Sequence, residues 1–124
     1  MEKTTSSSEV DELLEFSYLY DFYGNLLKEN HRMIFEDYVL NNLSLGEIAA
    51  ERGITRQGVY DIVKRCKKRL KEYEDKLCLV DKFQRTKDKL QQIEEIAGES
   101  QDVEGAQAIS ALAEQIYELS LIHI

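Results

Sequence analysis

The chain has 124 residues, no proline, six glycines and 32% charged residues, a composition that suits one small all-helical domain with a helical appendage. Its net charge of −8 disfavours an indiscriminate polyanion binder, so any nucleic-acid contact must be confined to a local patch. No apolar run is long enough to cross a bilayer and the first residues lack the apolar segment of a signal peptide, which predicts a cytoplasmic protein.

In chain order, residues 1–8 read as a frayed tail. Ser8 is placed to cap a helix starting at Glu9, with Glu9, Asp11 and Glu12 set favourably against its dipole. Leu13, Phe16, Leu19 or Tyr20, and Tyr23 recur there at helical spacing. The run Tyr18, Tyr20, Phe22, Tyr23 has the rings for base stacking, but the surrounding acids would repel a phosphate backbone, which assigns the run to the core. Gly24-Asn25 ends this helix. A second is predicted from about Lys28 to Leu40, with Met33, Ile34, Tyr38 and Leu40 facing inward and His31 as a surface or cap residue. Asn41-Asn42 makes the next turn.

Residues 43–65 carry the strongest signal, that of a helix-turn-helix. Ser44 and Glu47 make a capping box for a short helix, Gly53 suits a left-handed residue at its end, and Thr55 caps a second helix beginning at Arg56. Ile48 and Ala49 share one face of the first helix, and Val59, Ile62 and Val63 one face of the second, with Ile54 in the turn. Three helices packed around Phe35, Ile48, Val59 and Ile62 would form the compact bundle such a motif requires. Arg56, Gln57, Tyr60, Asp61 and Lys64 then point outward from the recognition helix as base-contacting candidates, and Thr55, Arg65, Lys67, Lys68 and Arg69 become phosphate-contacting candidates. Charge is distributed accordingly. Residues 1–30 carry seven acids against two bases and residues 99–124 five acids with no lysine or arginine, whereas residues 56–71 hold seven bases against Asp61 alone. A basic stripe on an acidic body suits local phosphate contact.

Beyond it, Val59, Val63, Cys66, Leu70, Tyr73, Leu77 and Val80 follow the heptad spacing of a coiled-coil seam on what reads as one continuous helix. Phe83, Leu90, Ile93 and Ala97 extend the stripe to a break at Gly98-Glu99-Ser100. A final helix presents Ala106, Ile109, Leu112, Ala113, Ile116 and Leu119, either folded back on the long helix as a hairpin or paired with a second subunit in a homodimer. The last residues, Leu121 to Ile124, are apolar without a clear reason. These boundaries divide the chain into a helix-turn-helix domain at 9–75 and a C-terminal extension at 76–124. Cys66 and Cys78 are expected to be buried and reduced. No nucleophile elbow, Gly-rich phosphate loop or metal-ligand spacing is present, so the expectation is a non-enzymatic protein without metal or cofactor.

The segments Tyr18-Leu19-Tyr20-Asp21-Phe22-Tyr23-Gly24-Asn25-Leu26-Leu27, Leu43-Ser44-Leu45-Gly46-Glu47-Ile48-Ala49, Thr55-Arg56-Gln57-Gly58-Val59-Tyr60-Asp61 and Leu70-Lys71-Glu72-Tyr73-Glu74-Asp75-Lys76-Leu77 together resemble the YlxM family of small bacterial proteins, over roughly residues 13–90. The helix-turn-helix is also similar to region 4 of bacterial sigma factors. Gly58 stands where that family leads one to expect alanine. The resemblance implies a regulatory protein whose gene neighbours those of the signal recognition particle. Two readings follow. One is a DNA-binding regulator; the other is an adaptor binding the protein or RNA of the signal recognition particle, with no sequence-specific DNA binding.

Overall fold

A computed structural model describes residues 7–121, which contain helices and no strand. The helices are α1 (Ser7–Tyr23), α2 (Glu29–Val39), α3 (Leu45–Arg52), α4 (Arg56–Leu77), α5 (Leu79–Gly98) and α6 (Val103–Ser120), with a 3-10 turn at Gly24–Leu26. The all-α fold with a helix-turn-helix is thus the observed one. The helices fall into two compact units, one ending at Leu77 and the other beginning at Cys78. Of the tail expected at residues 1–8 and the apolar end at 121–124, residues 1–6 and 122–124 lie outside the described residues, whereas Ser7 and Ser8 are helical rather than tail. Ser8 is not a cap, because the helix already includes Ser7 and Ser8 lies within it.

In the first unit, α1 buries Phe16, Leu19, Phe22 and Tyr23 against α2 and α4, so the aromatic run is core, as its acidic surroundings required. Its polar atoms are tied down at the rim. Tyr23 Oη donates to Glu74 Oε1 at 2.6 Å and Tyr20 Oη to Glu36 Oε2 at 2.9 Å. Burial, reinforced by the Glu36 carboxylate, pushes the Tyr20 hydroxyl up to about 12. Phe35 of α2 lies at the centre, fully buried among the rings of Phe16, Tyr20 and Tyr38. Met33 and Leu40, expected inward, are exposed instead. Seven residues apart, they share a helix face that at 3.6 residues per turn lies about 150° from Phe35.

The heptad spacing along α4 has a different meaning from a coiled-coil seam. Val59, Val63, Cys66 and Leu70 are buried in this same bundle, Tyr73 is half-buried and Leu77 is exposed. The helix expected to continue is broken at Cys78, whose backbone is left-handed (φ 55°, ψ 30°), a conformation that costs a residue with a Cβ roughly 1–2 kcal/mol. The two cysteines also part company. Cys66 is buried, its thiol pushed up to about 11 by that burial, and it donates to the His31 carbonyl at 3.8 Å. Cys78 is exposed, contrary to expectation.

The second unit is an α5–α6 hairpin, the folded-back alternative. Phe83, Leu90 and Ala97 of α5 are buried, and the Phe83 ring lies 5.7 Å from that of Tyr117. The face α6 turns inward is its small one, with Ala113 buried and Ala106 and Ser110 half-buried. The larger residues expected to pack there, Ile109, Leu112, Ile116 and Leu119, are 44–67% exposed. Small residues at three- and four-residue steps let two helix backbones approach closely, which leaves the branched row about 100° around the helix and uncovered. No helix among the described residues is long and apolar enough to cross a membrane.

Candidate nucleic-acid interface

Each end of the helix-turn-helix is fixed by local chemistry. Ser44 Oγ accepts from the Glu47 amide at 3.1 Å while Glu47 Oε1 accepts from the Ser44 amide at 3.0 Å, completing the capping box. That backbone bond holds the Glu47 carboxyl below the usual carboxylate range. Gly53 takes the left-handed conformation at the end of α3, at φ 68°. Thr55 Oγ1 accepts from the Gly58 amide at 2.9 Å and starts α4. Beneath the turn, Ile48 and Val59 are fully buried and Ala49 lets α3 and α4 close on each other, while Ile62 is half-buried. A carboxylate then sets the height of α3. Asp37 of α2, 8% exposed, accepts from Arg52 at the end of α3 (2.8 and 3.2 Å) and from Asn41 (3.0 Å).

This scaffold leaves Arg56, Gln57, Tyr60, Asp61 and Lys64 exposed on the first turns of α4. Gln57 Nε2 donates to Asp61 Oδ1 at 3.1 Å, one helical turn on, so these two side chains are already aligned along the outward row. Gly58 lies between them on the helix. An added Cβ there would sit 3.2 Å from Thr55 Oγ1, a close contact. The same arrangement is satisfied at the other cap, where Glu47 carries its Cβ while bonding to Ser44 Oγ. Gly58→Ala is therefore expected to stabilise the protein by about 0.5–1 kcal/mol through helix propensity, read as a rise in urea midpoint at unchanged m.

The basic stretch that follows is three rows, not one stripe. Lys64 and Lys68 face solvent. Lys67 and Lys71 turn toward α1: Lys67 Nζ binds Glu12 Oε1 at 2.6 Å and lies 5.3 and 5.2 Å from the ring centres of Phe16 and Tyr38, and Lys71 Nζ lies 5.3 Å from that of Phe16. The hydrogen bond from Lys67 holds the Glu12 carboxyl below its ordinary range. Arg65 and Arg69 turn the other way, toward the start of α2, where they line a notch with Lys28 and His31. Thr55 is exposed at the helix start, with its oxygen engaged in the cap. Phosphate candidates are thus spread around α4, and Lys67 is committed to an internal partner. Lys28 and His31 were not among the sequence candidates. Nothing in the linear pattern places them beside residues nearly forty positions away. Among the described residues, no group of three or more His, Cys, Asp or Glu side chains is arranged to hold a metal ion.

Comparison with known proteins agrees with this architecture. The sequence profile described as "Putative helix-turn-helix protein, YlxM / p13 like" matches residues 10–109. A UPF0122 protein of Thermoanaerobacter sp. strain X514 is 44% identical over 115 residues, covering 90% of this chain and 98% of that one. The UPF0122 protein YlxM of Bacillus subtilis strain 168 is 39% identical over 119 residues, covering 96% and 97%. One from Caldanaerobacter subterraneus is 51% identical over 85 residues, covering 68% and 73%. No solved structure gives a significant match. With a family profile spanning most of its length and relatives matched nearly end to end, this chain belongs to the UPF0122, YlxM/p13-like helix-turn-helix family.

Proposed function

We propose that this protein is a cytoplasmic, non-enzymatic DNA-binding regulator that reads a duplex with the first turns of α4. The observation that carries this reading is the outward row Arg56, Gln57, Tyr60, Asp61 and Lys64, exposed on a recognition helix whose opposite face is anchored through Val59 and Val63. In a helix-turn-helix those N-terminal positions are the ones that meet base edges in the major groove. Thr55, Lys68, Arg65 and Arg69 serve phosphates, and Lys67 joins them only by exchanging Glu12 for the backbone. The uncovered aliphatic row of α6 supports pairing of two copies, which would match a two-fold symmetric site.

The test is selection from a random duplex library with the purified full chain at near-physiological salt. An enriched motif, palindromic if two copies bind, is the expected result. Gln57→Ala then loses discrimination at one base pair, by about 5- to 150-fold for a contact of 1–3 kcal/mol, while keeping its affinity for non-specific duplex. Absence of any enriched motif, with only salt-sensitive background, overturns the reading. It would favour the adaptor of the signal recognition particle, whose partner would be an A-form RNA or a protein.

A further inference from the structure

We propose that the notch between the start of α2 and the middle of α4 is a phosphate site, formed by Lys28, His31, Arg65 and Arg69 and taking one phosphate oxygen of a bound nucleic-acid backbone. Four nitrogen-bearing side chains from two helices line this notch, together with Leu27 and Cys66, and no carboxylate does. Among the described residues neither arginine, nor Lys28, forms an ion pair. Lys67, on the same helix, by contrast faces Glu12. Convergent cations without a counter-ion repel one another, and an anion relieves the repulsion. His31 registers it: burial first, then Arg65, Lys28 and Arg69, hold its imidazole below the ordinary histidine value.

The size of the notch decides what enters. It encloses about 30 Å³, and roughly 10–15 Å³ suffices for one water-sized group. One or two oxygens fit, whereas a nucleoside or a carbohydrate ring does not. The notch also opens at the positive end of α2, where Lys28 makes no side-chain cap and the first amides have no partner within the helix. Guanidinium groups suit bidentate contact with the remaining phosphate oxygens at the mouth. As a clamp on nucleic acid the site rests on the DNA reading above; as a phosphate site it does not.

Two measurements on the full chain separate these levels. In the first, inorganic phosphate is titrated at constant ionic strength while the His31 ring is followed by NMR. A saturable shift, with the imidazole pKa rising as phosphate neutralises its neighbours, is expected. Lys28→Gln should weaken that binding several-fold. In the second, the affinity of the same exposed-site variant for duplex DNA is measured against salt, and its slope is expected to fall by about one unit. No saturable phosphate effect at His31, or one that chloride reproduces, overturns the site. Phosphate binding with an unchanged duplex slope in Lys28→Gln overturns the backbone clamp and assigns the notch to a free phosphate compound. Phosphate binding in a protein that binds no duplex supports the site while removing the DNA reading.

Discussion

Phe35→Ala is expected to destabilise the helix-turn-helix unit by about 3–5 kcal/mol, the range for emptying an aromatic position in a closed core. Phe35 has no exposed surface and meets Phe16 edge-on at 6.2 Å, Tyr20 at 6.1 Å and Tyr38 at 6.4 Å. Removing the ring forfeits its own transfer energy and leaves three other rings facing a cavity. They cannot close it, because Tyr20 is held by Glu36 and Phe16 lies under Lys67. The measurement is urea unfolding followed on backbone amides of α3, so that only this unit is monitored. Phe35→Leu fills much of the volume and should cost less than half as much. Met33→Ala, two positions away on the same helix but 41% exposed, should stay within about 1 kcal/mol. If Phe35→Ala and Met33→Ala were equally mild, the core would not be centred on α2.

That pair of residues also illustrates what sequence could and could not convey. Caps, turn glycine and the buried faces of α3 and α4 were legible because each rests on a rule confined to a few neighbouring residues: an oxygen three positions before an amide, a Cβ-free residue at positive φ, a 3.6-residue period. Phe35 belongs to the core as expected, but the exposure of Met33 was not legible, since both are apolar and only the position of α1 and α4 decides which face is covered. Cys78 marks another limit. Asn42, also at positive φ (52°), is a residue type that tolerates it, but cysteine carries no such signal, so the break between α4 and α5 had no local herald. On α6 the helical period holds, and of the expected face Ala106 and Ala113 turn inward while Ile109, Leu112, Ile116 and Leu119 do not. Large side chains dominate a hydrophobic pattern, yet the hairpin is closed by the small ones, Ala106 and Ala113. At the candidate interface the outward exposure of Arg56, Gln57, Tyr60, Asp61 and Lys64 was legible because they lie on one helix, whereas the notch needs α2 and α4 together.

The second large effect concerns charge. Lys64 and Lys68 are exposed, one turn apart, and among the described residues form no ion pair, unlike Lys67 between them. In the proposed complex Lys68 neutralises a phosphate charge, and Lys64, brought to a base edge between the two backbones, displaces a counter-ion as well. The double change Lys64→Ala/Lys68→Ala should lower the slope of log affinity against log salt by about two units, at roughly 0.9 per phosphate contact. The same relation makes each contact worth about tenfold in affinity near 0.1 M salt, so the double variant should bind about 100-fold more weakly there, with the deficit shrinking as salt rises. Folding stability should hardly change, because both side chains are exposed. Lys67→Ala supplies the contrast. Its loss frees Glu12 and uncovers Phe16, so it should reduce stability while lowering the salt slope less than Lys68→Ala does. Should all three lysines change the slope equally, Lys67 must already abandon Glu12 on binding. That would mean α1 gives way when the duplex arrives, and the acidic first helix would be part of the binding equilibrium as well as of the fold.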